Sequence, residues 1–169
     1  HELTDELFGG IHAGHPERIL SAGRAGIPRL LVPGAMDVIT MAEPETIPDS
    51  FRDCPQLPHN PHITLVRVGR DQMIQLGRVL GERLNQSTGP VIVAIPRGGY
   101  SFYNRPGLLF YDPPADRALV EALRETLRSD IPVCELEGHI NDPEFVQALV
   151  PLFLDMMEHA GVRGIGAPE

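Results

Sequence analysis

Three times along the chain a helix-like stretch ends at a small or polar residue, a proline follows, and a short unbroken apolar run comes next. The three are Gly26-Ile27-Pro28 before Leu30 to Val32, Gly89-Pro90 before Val91 to Ile95, and Asp130-Ile131-Pro132 before Val133 to Leu136. Unbroken rather than alternating runs mark strands covered on both faces, as in a parallel sheet. Proline is admitted at a strand's first residue because the ladder has not yet begun. Between the runs lie helical stripes, Met73, Gly77, Leu80 and Leu84 in one and Leu119, Val120, Leu123 and Leu127 in another, with Arg and Glu on the opposite faces. Strand and helix in alternation predict an α/β fold in which helices layer a mostly parallel sheet with right-handed crossovers.

Helix boundaries are written in the same chemistry. Asp112-Pro113-Pro114 and Asp142-Pro143-Glu144 each place a carboxylate at an N-cap and proline in the first turn. His15-Pro16-Glu17 is expected to open a further helix that Gly26 ends. The last helix is interrupted by Pro151 and is apolar nearly all round, so it is expected to be buried, against a second domain or subunit as well as its own sheet. Two connections, Pro33 to Pro55 and Arg97 to Pro113, are too long for plain links. The second is too aromatic for disorder and should fold over something.

Of the 169 residues, 42% are apolar and 22% charged, the balance of one soluble domain with a proper core. All 14 cationic side chains are arginine, which excludes lysine nucleophiles, Schiff-base lysines and phosphate-loop lysines within this chain. A net charge of -9 makes nucleic acid an unexpected partner. Cys54 and Cys134 are too few for a disulfide framework, and the expected setting is reducing and cytoplasmic. No apolar stretch approaches the ~18 residues of a membrane span, so no membrane partner is expected. The chain starts at His1 rather than methionine, and Thr4 to Gly10 begins without a preceding strand, which is expected of a piece of a longer polypeptide.

Ligands in open parallel sheets bind beyond the carboxyl ends of the strands, so the segments following the apolar runs are candidates by position. These are Pro33 to Asp37, Arg97-Gly98-Gly99-Tyr100-Ser101 and Gly138-His139-Ile140-Asn141-Asp142. His59-Asn60-Pro61-His62 joins them if Gln56 to Pro58 closes a short strand. His139 is the candidate catalytic base or ligand contact, against the alternative of a satisfied hydrogen-bonding group; Asp142 is first a helix cap and Asn141 a turn former. His59 and His62 lack the context of a helical zinc pair, and a trio with His139 is a weak metal set, so no metal is expected. Asn60-Pro61 is read as a turn that holds one imidazole toward the crevice. Arg97 with Gly98 and Gly99 could offer a guanidinium and backbone N–H groups to an anion. Ser101 lies in half of a nucleophile-elbow pattern, which lacks its second glycine and its helix. Arg67 could clamp a carboxylate or phosphate, or pair with Asp or Glu.

The ordered series Pro33-Gly34-Ala35-x-Asp37, His59-Asn60-Pro61, Thr64-Leu65-x-Arg67, Leu84-Asn85, Gly89-Pro90, Phe110-x-Asp112-Pro113, Ala115-Asp116 and His139-Ile140-Asn141-Asp142-Pro143 resembles the C-terminal half of the Tm-one-like ATP-binding family, from about Leu7 to Phe145. The resemblance implies a single three-layer Rossmann-like domain over residues 1–169, the second of two such halves, with the Gly-rich ATP-associated segment in the first. It implies a small anionic ligand in a cleft shared with an N-terminal domain, ATP being the candidate cofactor of the full-length protein. It assigns no catalytic residue. In a plant member the region binds a viral replication protein, which implies the alternative of an interaction module, expected to be a homo-oligomer. A metal-dependent or serine hydrolase is a second alternative, resting on the histidines and Ser101. The sequence departs from the family pattern at Arg97 to Asn104, where the usual Arg/Lys-Gly-x-Ser and following acidic residue are replaced.

Overall fold

A computed structural model describes residues 1–161. Its elements are α1 (Glu2–Phe8), α2 (Leu20–Arg24), β1 (Arg29–Leu31), β2 (Val38–Met41), β3 (Gln56–Asn60), β4 (Ile63–Arg67), α3 (Arg70–Leu84), β5 (Val91–Pro96), α4 (Pro113–Thr126), β6 (Val133–Leu136) and α5 (Pro143–His159). The three proline-led runs are β1, β5 and β6, and they pair with one another in parallel in the order β1-β5-β6. The prolines lack a donor, yet their carbonyls serve the ladder: Pro90 O accepts from Arg29 N at 3.0 Å and Pro132 O from Val93 N at 3.0 Å.

The predicted stripes of α3 and α4 meet over this sheet. Met73, Leu76, Leu80 and Leu84 of α3 share one buried cluster with Leu119 and Leu123 of α4 and with Val91, Val93 and Ile95 of β5. Gly77 marks the crossing of the two helices, because a Cβ there would overlap the backbone oxygen of Leu119. Close approach of the backbones thus accounts for a glycine in mid-helix, where it costs ~1 kcal/mol against alanine. α5 packs on β1 and β5 and buries Phe145 and Met156. These two residues do not belong to the α3/α4 cluster, so α5 covers the other face of the pleated sheet.

A second, antiparallel sheet in the order β2-β4-β3 was not foreseen. The connection from Pro33 to Pro55 contains β2 and two single 3-10 turns, Pro44–Thr46 and Asp49–Phe51. Gln56 to Pro58 does lie in a strand, but one of this sheet, so His59 and Asn60 end β3 and Pro61-His62 is its hairpin turn, not a segment beyond a parallel strand. Ile39, Met41 and Val66 turn inward to the core, while Val38, Thr40, Ile63 and Leu65 alternate onto the other face.

Two helix expectations are corrected. His15-Pro16-Glu17 forms a turn in which His15 Nδ1 accepts from Glu17 N at 3.1 Å, and regular helix spans only Leu20–Arg24. α5 runs through Pro151 without interruption, buries Phe145 and Met156, and leaves Val146, Val150, Phe153 and Leu154 exposed on this chain. No helix among the described residues is long and apolar enough to cross a membrane.

Candidate functional site

The segments after β1, β5 and β6 converge at the carboxyl edge of the parallel sheet and are stitched by backbone bonds. Ala35 N donates to Tyr100 O at 2.7 Å, Gly98 N to Gly138 O at 2.7 Å, and Ile140 N to Gly99 O at 3.2 Å. Gly99 sits at φ 120°, and a Cβ there would overlap the backbone oxygen of Asn104, so no other residue fits this corner. Arg97, Gly98, Gly99, Ser101, His139, Asn141 and Asp142 are thereby brought together as expected from their positions.

Behind this edge lies a buried polar network tying the two sheets. Ser101 Oγ donates to Asp37 Oδ2 at 2.6 Å, and both residues are buried. Arg67 reaches in from β4: Nε donates to Phe110 O at 3.0 Å, Nη1 to Asp37 O at 3.2 Å and Val68 O at 2.9 Å, and Nη2 to Asp116 Oδ1 at 2.7 Å. Asn104 Nδ2 donates to the other oxygen, Asp116 Oδ2, at 2.9 Å. Burial pushes the Asp116 carboxyl up to about 6, against the opposing pull of the Arg67 guanidinium. Burial also raises the Asp37 carboxyl, again opposed by Arg67. Asp37 Oδ1 and Asn104 Oδ1 find no partner. Arg67 is therefore buried internal structure paired with Asp116, and not an exposed clamp for a ligand.

His139 is buried with both ring nitrogens engaged. Nδ1 accepts from Asn141 N at 3.1 Å, which leaves Nε2 as the donor to Ser101 O at 2.8 Å. Nδ1 also lies 3.0 Å from Arg105 Nη2, which in turn donates to Asp142 Oδ1 at 2.8 Å. The imidazole thus meets the carbonyl of Ser101 while the hydroxyl turns to Asp37, so a serine–histidine nucleophile pair is not assembled here. Asp142 departs from its expected role as well: its carboxylate makes no cap bond to α5, and Oδ2 instead accepts from His139 N at 2.8 Å. Those contacts to His139 N and Arg105 hold its pKa down. The other predicted cap is present, with Asp112 Oδ1 accepting from Ala115 N at 3.1 Å.

The aromatic segment from Arg97 to Pro113 does fold over this network, burying Tyr100 and Phe110 and leaving Phe102 66% exposed. Phe102 stands at a hollow of about 310 Å³ bounded by Val38, His59, Leu65, Ser101 and Tyr103. A smaller pocket of about 180 Å³ lies against Arg97, Gly98, Asp116, Arg117 and Glu135. Arg97 is half-exposed and pairs with Glu137 at 2.6 Å. Asn60 builds the hairpin turn, its Oδ1 accepting from His62 N at 2.8 Å, while His62 points to Glu43 at 3.2 Å. Of the three, His59 alone borders the hollow, and the trio of His59, His62 and His139 is dispersed.

Asn104, Arg105 and Asp116 complete the network without having been singled out by residue chemistry. Asp116 had a signal, one helical turn after the Asp112 cap and so directed back at the strand ends. Asn104 and Arg105 had none, because irregular backbone carries no periodicity.

A family model described as the uncharacterised protein family UPF0261, C-terminal domain, matches residues 1–157. A UPF0261 protein of Clostridium tetani is 35% identical over 158 residues, covering 93% of this chain and 39% of that protein. A UPF0261 protein of Rhizobium meliloti is 37% identical over 157 residues, covering 92% and 39%. A tomato protein named as the ToMV resistance protein Tm-1 is 32% identical over 157 residues, covering 92% of this chain and 21% of that protein. The chain spans about two-fifths of the bacterial relatives it matches.

Proposed function

The chain belongs to the UPF0261 family, as its C-terminal domain, and from that premise we propose that it is one half of a two-domain protein and forms one wall of a cleft for a small anionic ligand, ATP being the first to test. The observation that carries this reading is the exposed ring of Phe102 beside the hollow that reaches Ser101 and His59. An aromatic face of this kind accepts a planar ring by stacking, and an imidazole N–H next to it suits an anionic group. Arg97, Gly98, Gly99 and Asn141 border the same edge, while Arg67, Ser101, His139 and Asp142 brace it from behind. The length of the relatives supports a partner domain on the open side.

Calorimetry on the full-length protein and on this chain, with ATP and a panel of phosphorylated metabolites, tests the reading. Phe102→Ala is expected to weaken binding about tenfold, the size of one lost stacking contact. Absence of binding by both proteins, or an affinity indifferent to Phe102, overturns it.

A second reading has its own observation. Val146, Val150, Phe153 and Leu154 form an exposed apolar stripe at helical spacing on α5, suited to a homo-oligomer or interaction role. A relative named for virus resistance accords with an interaction role. Sedimentation of the full-length protein is expected to show an oligomer that Val150→Glu with Leu154→Glu dissociates; a strict monomer refutes it. A cytoplasmic setting accords with the free thiols of Cys54 and Cys134.

A further inference from the structure

At the rim of the hollow, away from the His139 network, a carboxylate is buried among backbone donors. Asp5 lies on α1 with no exposed surface, its Oδ1 accepting from Thr40 N at 2.8 Å and its Oδ2 from His12 N at 3.0 Å. Among the described residues no arginine pairs with it. An ionised carboxylate in such a place costs several kcal/mol unless a cation joins it.

The surrounding backbone is built to bring imidazole to that carboxylate. Gly9, at φ 80°, ends α1, and Gly10 turns so closely that a Cβ on it would overlap the Asp5 carboxyl carbon. Gly10 N then donates to Asp5 O and Ile11 N to Thr40 O, both at 2.8 Å, which sets His12 directly after the turn. His1 stands one helical turn before Asp5, and its ring lies edge-on to that of His12 with centroids 6.0 Å apart. Ligating atoms of His1, Asp5 and His12 all fall within 4.8 Å of one another.

We infer that His1, Asp5 and His12 form a binding site for a first-row divalent transition metal, zinc foremost, with open coordination positions toward the hollow that His1 and His12 also line. Two imidazoles and one carboxylate are the donor set of such ions rather than of magnesium or calcium. A tetrahedral zinc at ~2.1 Å from each ligand asks for ligand atoms ~3.4 Å apart. Rotation of the two exposed rings supplies that closure, while the buried carboxylate is already fixed. The two backbone N–H groups on Asp5 serve as the outer hydrogen bonds that orient a ligating carboxylate and leave a lone pair on each oxygen for the ion. The site stands independently of whether the hollow takes an anion.

Titration of the chelator-treated full chain with zinc, followed calorimetrically, and with cobalt, followed by its visible absorption, tests the site. One equivalent of each is expected to bind, with a tetrahedral cobalt spectrum. His1→Ala and His12→Ala, both at exposed positions and without cost to folding, are expected to weaken binding by ~100-fold each. His62→Ala serves as the exposed-histidine control and is expected to change nothing. Absence of stoichiometric binding overturns the assignment, as does binding that persists in the His1/His12 double variant.

Discussion

Asp116→Asn isolates the electrostatics of the buried network in one measurable slope. The Asp116 carboxyl is raised from 3.8 to about 6 in the folded chain, with burial exceeding the pull of Arg67, and its side chain is only 16% exposed. A shift of about two units corresponds to about 3 kcal/mol. The sign follows from which state holds the proton. Between pH ~4 and ~6 the folded chain keeps it and the unfolded chain has lost it, so this contribution is fully present below pH ~4 and disappears as pH rises through ~6. The asparagine variant has no such proton. Urea unfolding of both chains from pH 4 to 7, followed by circular dichroism, is expected to show the unaltered chain losing about 3 kcal/mol relative to Asp116→Asn across that interval. In thermal scans the same change amounts to roughly 6–12 °C at this chain length. A difference that is flat, or that moves the other way with pH, would show that Arg67 outweighs burial and refute the reasoning.

Arg67→Met removes the cation of the same network and strands Asp116 and the carbonyl of Phe110; guanidinium unfolding is expected to register a loss of ~3–5 kcal/mol, and a loss below ~1 kcal/mol would contradict the network's role. Gly77→Ala forces a methyl into the backbone oxygen of Leu119. It is expected to cost ~1–3 kcal/mol despite the better helix propensity of alanine, and a stabilised variant would disprove the close crossing.

How much of this was legible depends on where a residue sits relative to regular structure. The three parallel strands were readable because burial on both faces leaves an unbroken apolar run with a proline before it, and the Asp112 cap because a side chain bonds its own helix start. The antiparallel sheet was hidden: Val38–Met41 is apolar except for Thr40, and β3 carries Pro58, so neither alternates cleanly. Position beyond the strands found the right edge, but residue chemistry misassigned its members. Asp142 reads as a cap from sequence and is instead drawn off by His139 N and by Arg105, a partner 37 residues away that no local pattern encodes. Arg67 reads as a clamp or as a partner of Asp or Glu, and the second holds, though the partner, 49 residues further along the chain, is not legible locally.

The stitched edge of the parallel sheet also has a kinetic meaning. Ala35, Gly98 and Ile140 lock the three segments to one another, and Ser101 and Asp37 lock them to the second sheet, so the stitched backbone at this edge is restrained. Adjustment is left to side chains such as Phe102, which reorient in nanoseconds or less. For the ligand proposed above, such an edge is set in advance, so capture is expected to follow the rate of encounter and residence the strength of the contacts, with no slow closure of these segments.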